Sequence, residues 1–243
     1  MKPQMTNLRI KNLAQEFSTN GCHTIKLKKL LELRSPNNLL RNFNTILPTV
    51  SIGSVTLVDQ IVLLCLDELV NPNTILEIGT FQGFTTRLLA TNSNASKIYS
   101  LDLPPLKNNF IDSPVLDKVL MNGDYNDDYL RDMQNLSGEI YLNDLENKFS
   151  DKIELIKHDS TKLNFEKSIK GCEFAFIDGG HSYDIVKSDT ENVKKIMKKG
   201  VIIWHDYASG IHSDVTKYLN EYALNNNIFH ISGSLCAFQI IGV

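Results

Sequence analysis

From Thr56 onward the apolar positions switch between helical spacing and short unbroken runs. Val58, Ile61, Val62, Cys65, Leu66 and Leu69 fall on one face of a helix, which Asn71-Pro72-Asn73 closes. Thr74–Ile78 is a short apolar run that leads into a glycine turn, Phe84–Ala90 reads as a helix, and Lys97–Leu101 as a second strand ending in Asp102. The rhythm is lost between Pro104 and Ser150. Asp151–Lys157 and Glu173–Ile177 then read as a third and a fourth strand, Ser182–Lys198 as a helix, Val201–Trp204 as a fifth strand and Val215–Leu224 as a helix. Asn227–Ile231 and Leu235–Ile241 flank Ser232-Gly233-Ser234, a hairpin signal. Strands alternating with helices before a terminal hairpin predict an α/β, doubly wound sheet that is parallel except for its last strand. Residues 1 to about 55 read instead as a lysine-rich, N-terminal helical extension, broken at Ser35–Asn38 and at Leu47-Pro48-Thr49.

Composition narrows the classes. The 243 residues are 42% hydrophobic and 22% charged, enough for one domain that buries both faces of a sheet. A net charge of -3 argues against a duplex-binding surface, so no nucleic-acid partner is expected. The longest apolar run, Ile61–Leu66, is far too short to span a bilayer, and the N-terminus lacks the apolar core of a signal peptide. Cys22, Cys65, Cys172 and Cys236 lie far apart and form neither a zinc knuckle nor a disulfide framework. These features predict a reduced, cytoplasmic protein with a small-molecule substrate and no membrane partner.

In an open parallel sheet, ligands bind beyond the carboxyl ends of the strands. Past the first strand come Glu77, Gly79, Thr80, Phe81 and Gly83, where the two glycines allow a sharp turn and a close ligand. Past the second comes Asp102, placed to accept from both ribose hydroxyls of an adenosine. A nicotinamide-dependent oxidoreductase would use a similar acid. Its fingerprint, however, needs glycine where Phe81 stands, and Glu77 would repel a diphosphate. A carboxylate at Glu77 suits a cationic, phosphate-free cofactor.

Ile75–Thr86, Tyr99–Pro104, Phe176–Tyr183 and Val201–Asp206, with Gly53–Thr56 before them, resemble class I S-adenosylmethionine-dependent methyltransferases of the macrocin O-methyltransferase and cephalosporin-hydroxylase-like group. The resemblance runs from about residue 53 to 241. It implies a Rossmann-like, seven-stranded sheet over residues 56–243, S-adenosylmethionine as cofactor and methyl transfer to a small acceptor, a hydroxyl above all. It also implies Asp159 and Ser160 at the adenine, and Asp178 beneath the sulfonium. A binding protein that has kept the cofactor pocket and lost catalysis is the other reading of the same loop.

Asp178 ends the fourth strand and His205-Asp206 the fifth, so these side chains converge, with His181 nearby. Asp178, His205 and Asp206 form a candidate set for a divalent, magnesium-like cation. Methyltransferases resembling this chain place an acidic pair after the fifth strand, from which His205 departs. In macrocin-type members a histidine three residues after the strand-four aspartate serves as base, which maps the role onto His181. Plainer roles stand beside these: Asp178 shaping its loop, and His205-Asp206 capping the next segment.

The insertion at 104–150 is too long for an ordinary connection and carries Phe110, Tyr125, Tyr129, Met133 and Tyr141. It reads as a substrate lid or as a surface packed on a second subunit of a homo-oligomer. Asp124–Asp128 looks like the start of a calcium loop, but Tyr129 and Asn135 replace the glycine and the glutamate such a loop needs.

Overall fold

Eight strands form one sheet in a computed structural model that describes Glu16 and residues 19–34, 42–47, 53–105 and 123–242. The expectations for Ser35–Asn38, Pro48-Thr49 and Phe110 lie outside the described residues. In chain order the elements are β1 (Gly21–Lys26), α1 (Leu27–Arg34), α2 (Leu57–Val70), β2 (Thr74–Ile78), α3 (Phe84–Asn92) and β3 (Lys97–Asp102). The insertion follows, with α4 (Gly123–Ser137), a single turn at Ile140–Leu142 and α5 (Asn147–Ser150). Then come β4 (Ile153–Lys157), α6 (Phe165–Ser168), β5 (Phe174–Ile177), α7 (Tyr183–Ile196), β6 (Gly200–Trp204), α8 (Ser213–Ala223), β7 (Asn227–Ser232) and β8 (Ala237–Ile241). Among the described residues no helix is long and apolar enough to cross a membrane.

The strand order is β1-β7-β8-β6-β5-β2-β3-β4. Only β8 runs against its neighbours, β6 and β7, as the hairpin signal predicts. Side chains alternate between the two faces with the period of a strand. Ile75, Phe174, Phe176, Val201 and Ile203 pack with α1, α2 and α3, while Leu76, Ile78, Ala175, Ile177, Ile202 and Trp204 pack with α6, α7 and α8. The sheet is therefore covered on both faces, and ligand access is left to its ends.

One strand more is present than the seven expected. Gly21–Lys26, inside the stretch read as a helical extension, adds in parallel to β7, from Gly21 opposite Asn227 to Lys26 opposite Ser232. Ile25 is the one fully buried side chain of β1, so no apolar run announces it. Its partner is the other end of the chain, and that pairing is a tertiary fact.

A capping box starts α2. Thr56 Oγ1 accepts from the Asp59 N–H, and the Asp59 carboxylate accepts from Thr56 N–H and Oγ1. The same carboxylate reaches the β7–β8 turn, where Oδ1 accepts from Ser234 Oγ at 2.6 Å and from Leu235 N–H at 2.9 Å. Asp59 is fully buried, so its loss strands several donors at once. Asp59→Ala is expected to lower stability by about 3–5 kcal/mol, the cost of breaking a buried charge network. Urea unfolding of both proteins checks this, and a midpoint unchanged from the wild type would contradict it.

Candidate active site

The ladder of main-chain hydrogen bonds continues past the strand ends and lines up the chemistry. Gly79 N–H donates to Leu101 O, Asp178 N–H to Ile78 O, and His205 N–H to Ile177 O. Gly79, Asp178 and His205 thus stand side by side at the carboxyl edge of β2, β5 and β6. A cleft of about 550 Å³ opens over this edge. Of the expected site residues, Gly79, Thr80, Phe81, Asp102, Asp159, Ser160, Asp178, His181, His205 and Asp206 line it, and Glu77 and Gly83 do not.

Gly79 has φ +101°, and a Cβ there would sit 1.9 Å from Asp178 O, so only glycine lets β2 and β5 end this close together. Phe81 occupies the left-handed region at φ +48°, which aims its N–H at Asp102 Oδ2, 2.7 Å away. Asp102 Oδ1 accepts from Leu103 N–H, also at 2.7 Å. Each carboxylate oxygen is held by one main-chain donor and keeps a lone pair for the cleft. Burial nevertheless raises the Asp102 pKa. Asp159 stands at the far end, bonded to Lys162 and Thr161, and these bonds lower its pKa.

Glu77 is placed differently from the expectation. On a strand it shares its face with Ile75, toward α3, so it stands behind the loop and not in the cleft. Its Oε2 accepts from Thr86 Oγ1 and, at 2.5 Å, from Ser100 Oγ, while its Oε1 is buried without a partner. Burial pushes its pKa up to about 8. Gly83 likewise acts from outside the cleft: at φ +84° it starts α3 and leaves room for Leu142 of the insertion.

At the other end of the cleft, acids and imidazoles alternate. His205 Nδ1 lies 3.2 Å from Asp178 Oδ1 and 3.2 Å from Asp206 Oδ2, and its Nε2 lies 3.4 Å from Asp59 Oδ2. His181 Nε2 lies 3.1 Å from Asp206 Oδ2, and its Nδ1 lies 2.6 Å from Asp127 Oδ1. Successive residues on an extended chain face opposite ways. Asp206 joins His205 in the cleft because it turns into the left-handed region at φ +59°. Burial works against every charge here, but the charges compensate one another. The carboxylates of Asp178 and Asp206 hold the His205 pKa well above the ordinary value. Asp127, Asp178 and Asp206 do the same for His181. In return, Asp178 and Asp206 are held below the carboxylate range, mainly by the charge of His205. These carboxylates bias the His181 ring toward its protonated form.

Asp178, His205 and Asp206 offer ligand atoms within 4.8 Å of one another. The donor set suits a divalent cation: two carboxylates, and an imidazole whose outer nitrogen faces a buried carboxylate, Asp59, as metal-bound histidines usually do. Asp59 and Asp127 were not foreseen. The spacing Thr56-x-x-Asp59 is a legible capping signal, yet nothing local shows that the carboxylate also reaches His205. Asp127 lies in the insertion read as a lid or a subunit contact, within a run weighed as a calcium loop and rejected as one.

The described part of the insertion, from α4 to the turn at Ile140–Leu142, lies against the cleft. Asn126, Asp127, Asp128, Leu130, Arg131 and Gln134 of α4 line it. Gln82 Nε2 donates to Ser137 Oγ at 2.7 Å, Tyr141 N–H to Gln82 O at 3.1 Å, and Arg87 to Tyr141 O at 2.8 Å.

Residues 76–207, more than half of the chain, match the model of a family described as a methyltransferase domain. No curated protein matches by sequence. Among solved structures, the O-methyltransferase NovP is 14% identical over 99% of both chains, with a TM-score of 0.53. The cofactor-bound Rv0187 from MTB is 15% identical over 89% of both chains, with a TM-score of 0.51. At these identities the likeness is one of fold.

The Glu77 carboxyl generates a pH prediction. The folded protein holds its proton up to about pH 8, whereas an unfolded chain releases it near 4.5. The folded state therefore binds the extra proton between those values, and stability falls as pH rises through that window. At roughly 1.4 kcal/mol per pH unit, the loss amounts to a few kcal/mol. Glu77→Gln keeps an acceptor and should flatten that decline in denaturant melts from pH 5 to 8. The same slope in both proteins would place the titration elsewhere.

Proposed function

Because the chain belongs to the methyltransferase-domain family, we propose that it moves the methyl group of S-adenosylmethionine to a hydroxyl of a small molecule. The observation that carries this reading is Asp102. It lies at the cleft end of β3, pinned by Phe81 and Leu103, with both oxygens still able to accept from a ribose diol. Phe81 fills the place where a diphosphate cradle would need glycine, so the loop favours an adenosine without phosphates. Asp159 and Ser160 extend the same wall and suit the adenine, Asp159 as acceptor of its amino group. Gly79 leaves the main chain bare beside Asp178, where the methionine part of the cofactor fits. Glu77 contributes from behind, by holding Thr86 and Ser100 under the loop.

In the reaction, an acceptor oxygen attacks the sulfonium methyl. The carbon–sulfur bond breaks with its electrons going to sulfur, and the hydroxyl proton must leave. His181 is the side chain we assign to receive that proton, from its place between Asp206 and Asp127 at the cleft wall. Asp178, His205 and Asp206 would hold a divalent cation, which when bound lowers the pKa of the hydroxyl. The fold of NovP, an O-methyltransferase, fits this reading.

Two measurements check it. Asp102→Ala removes a charged acceptor from the ribose and should weaken S-adenosylhomocysteine binding by about 1.5–3 kcal/mol, roughly ten- to hundredfold. Calorimetric titration reads this, and equal affinity in both proteins would refute the placement of the ribose. Manganese bound by the wild type should give a bound-ion electron paramagnetic resonance signal, and Asp206→Asn should lose it. Equal signals from the two proteins would leave Asp178, His205 and Asp206 as loop-shaping residues.

A further inference from the structure

Helix α4 of the insertion sets two consecutive side chains against two imidazoles from distant parts of the chain. Asp127 Oδ1 lies 2.6 Å from His181 Nδ1, and Asp127 Oδ2 accepts the His181 main-chain N–H at 3.3 Å. One carboxylate thus holds both the ring and the backbone that carries it. Asn126 Nδ2 lies 3.1 Å from His212 Nε2, and the His212 ring stacks on His181 with centroids 3.7 Å apart and planes 20° apart. His212 is itself buried.

An imidazole has two unlike nitrogens, and which one is protonated follows from the partner of the other. With a carboxylate on Nδ1 and a second ring against one face, the His181 ring has no freedom to turn. The nitrogen left toward the cleft is Nε2, which faces Asp206. Asp127 comes from an element 54 residues away in sequence, so the arrangement is not a by-product of the loop after β5.

We propose that Asp127 is a positioning residue for His181, fixing Nδ1 as the donating nitrogen and presenting Nε2 to the methyl acceptor. The inference rests on the reading of this cleft as a methyl-transfer site. A carboxylate behind an imidazole is a recurrent way to hold a proton-accepting ring in one tautomer. Its consequence is specific to this chain: the proton-transfer end of the cleft is complete only while the insertion is docked. Bonds from Gln82 and Arg87 to Ser137 and Tyr141 join α4 and the turn after it to the loop and helix that follow β2. Helix α4 is then a working part of the site.

Side-chain nitrogen NMR on histidine-labelled protein tests this directly, in the wild type, Asp127→Asn and Asp127→Ala, each without ligand and saturated with S-adenosylhomocysteine. His181→Gln assigns the resonance. The wild type should show a far-downfield His181 Nδ1–H proton that exchanges slowly with water. That signal should move upfield in Asp127→Asn and vanish in Asp127→Ala. If Asp127→Ala does not fold, Asp127→Asn decides by itself. A wild type without the downfield proton, or a signal identical in the variants, overturns the proposal. Failure of S-adenosylhomocysteine to bind the wild type would instead overturn the cofactor reading, and the ring measurement would stand apart from it.

Discussion

Compensation of buried charge at the carboxyl edge of the sheet is the constraint on which the rest of the site depends. Asp59, Asp178, Asp206 and Asp127 face His205 and His181 in an alternating row, and most of these groups are shielded from water. A carboxylate there without a positive neighbour would have to protonate, and an imidazole without a carboxylate would stay neutral. Each charge is stable because its neighbours are present. The row also ties together α2, the ends of β5 and β6, and the insertion helix, elements that the chain brings together only on folding. Removing one partner therefore acts on its neighbours as well as on itself.

The cofactor half of the cleft is governed by backbone geometry more than by charge. Gly79 and Phe81 take left-handed conformations, and each has a visible return: a close approach of β2 to β5 at Gly79, and an N–H aimed at Asp102 from Phe81. Glu77 supports this turn from behind as a buried acid bonded to two hydroxyls. The two halves meet at Asp178, whose main chain closes on Gly79 and whose carboxylate belongs to the row. In the proposed reading, that junction brings the sulfur of a bound cofactor next to the groups assigned to the acceptor's proton.

Much of this was legible along the chain. Period and turn chemistry gave the alternation of strands and helices, the antiparallel last strand and the clustering of Asp102, Asp178, His181, His205 and Asp206 at one edge, since all of these are local signals joined by one topological rule. What escaped the sequence depended on partners far away. The edge strand Gly21–Lys26 has little apolar content of its own and is specified by β7. Glu77 was expected in the cleft, and the alternation of β2 turns it to the face of α3. Asp59 announces a helix cap and conceals a second role at His205, while Asp127 sits in a polar stretch whose meaning appears only once α4 is docked. The raised pKa of His181 follows from the same long-range contacts.

The central claim is that one cleft seats an adenosine at Asp102 and delivers a methyl group at the acid–imidazole row. The most direct measurement is the crystal structure of the protein with S-adenosylhomocysteine bound. The account predicts both ribose hydroxyls on Asp102, the adenine between Asp159 and Ser160, and the sulfur turned toward Asp178 and His181 under α4. A cofactor bound in the opposite direction, or seated away from Asp102, would contradict it.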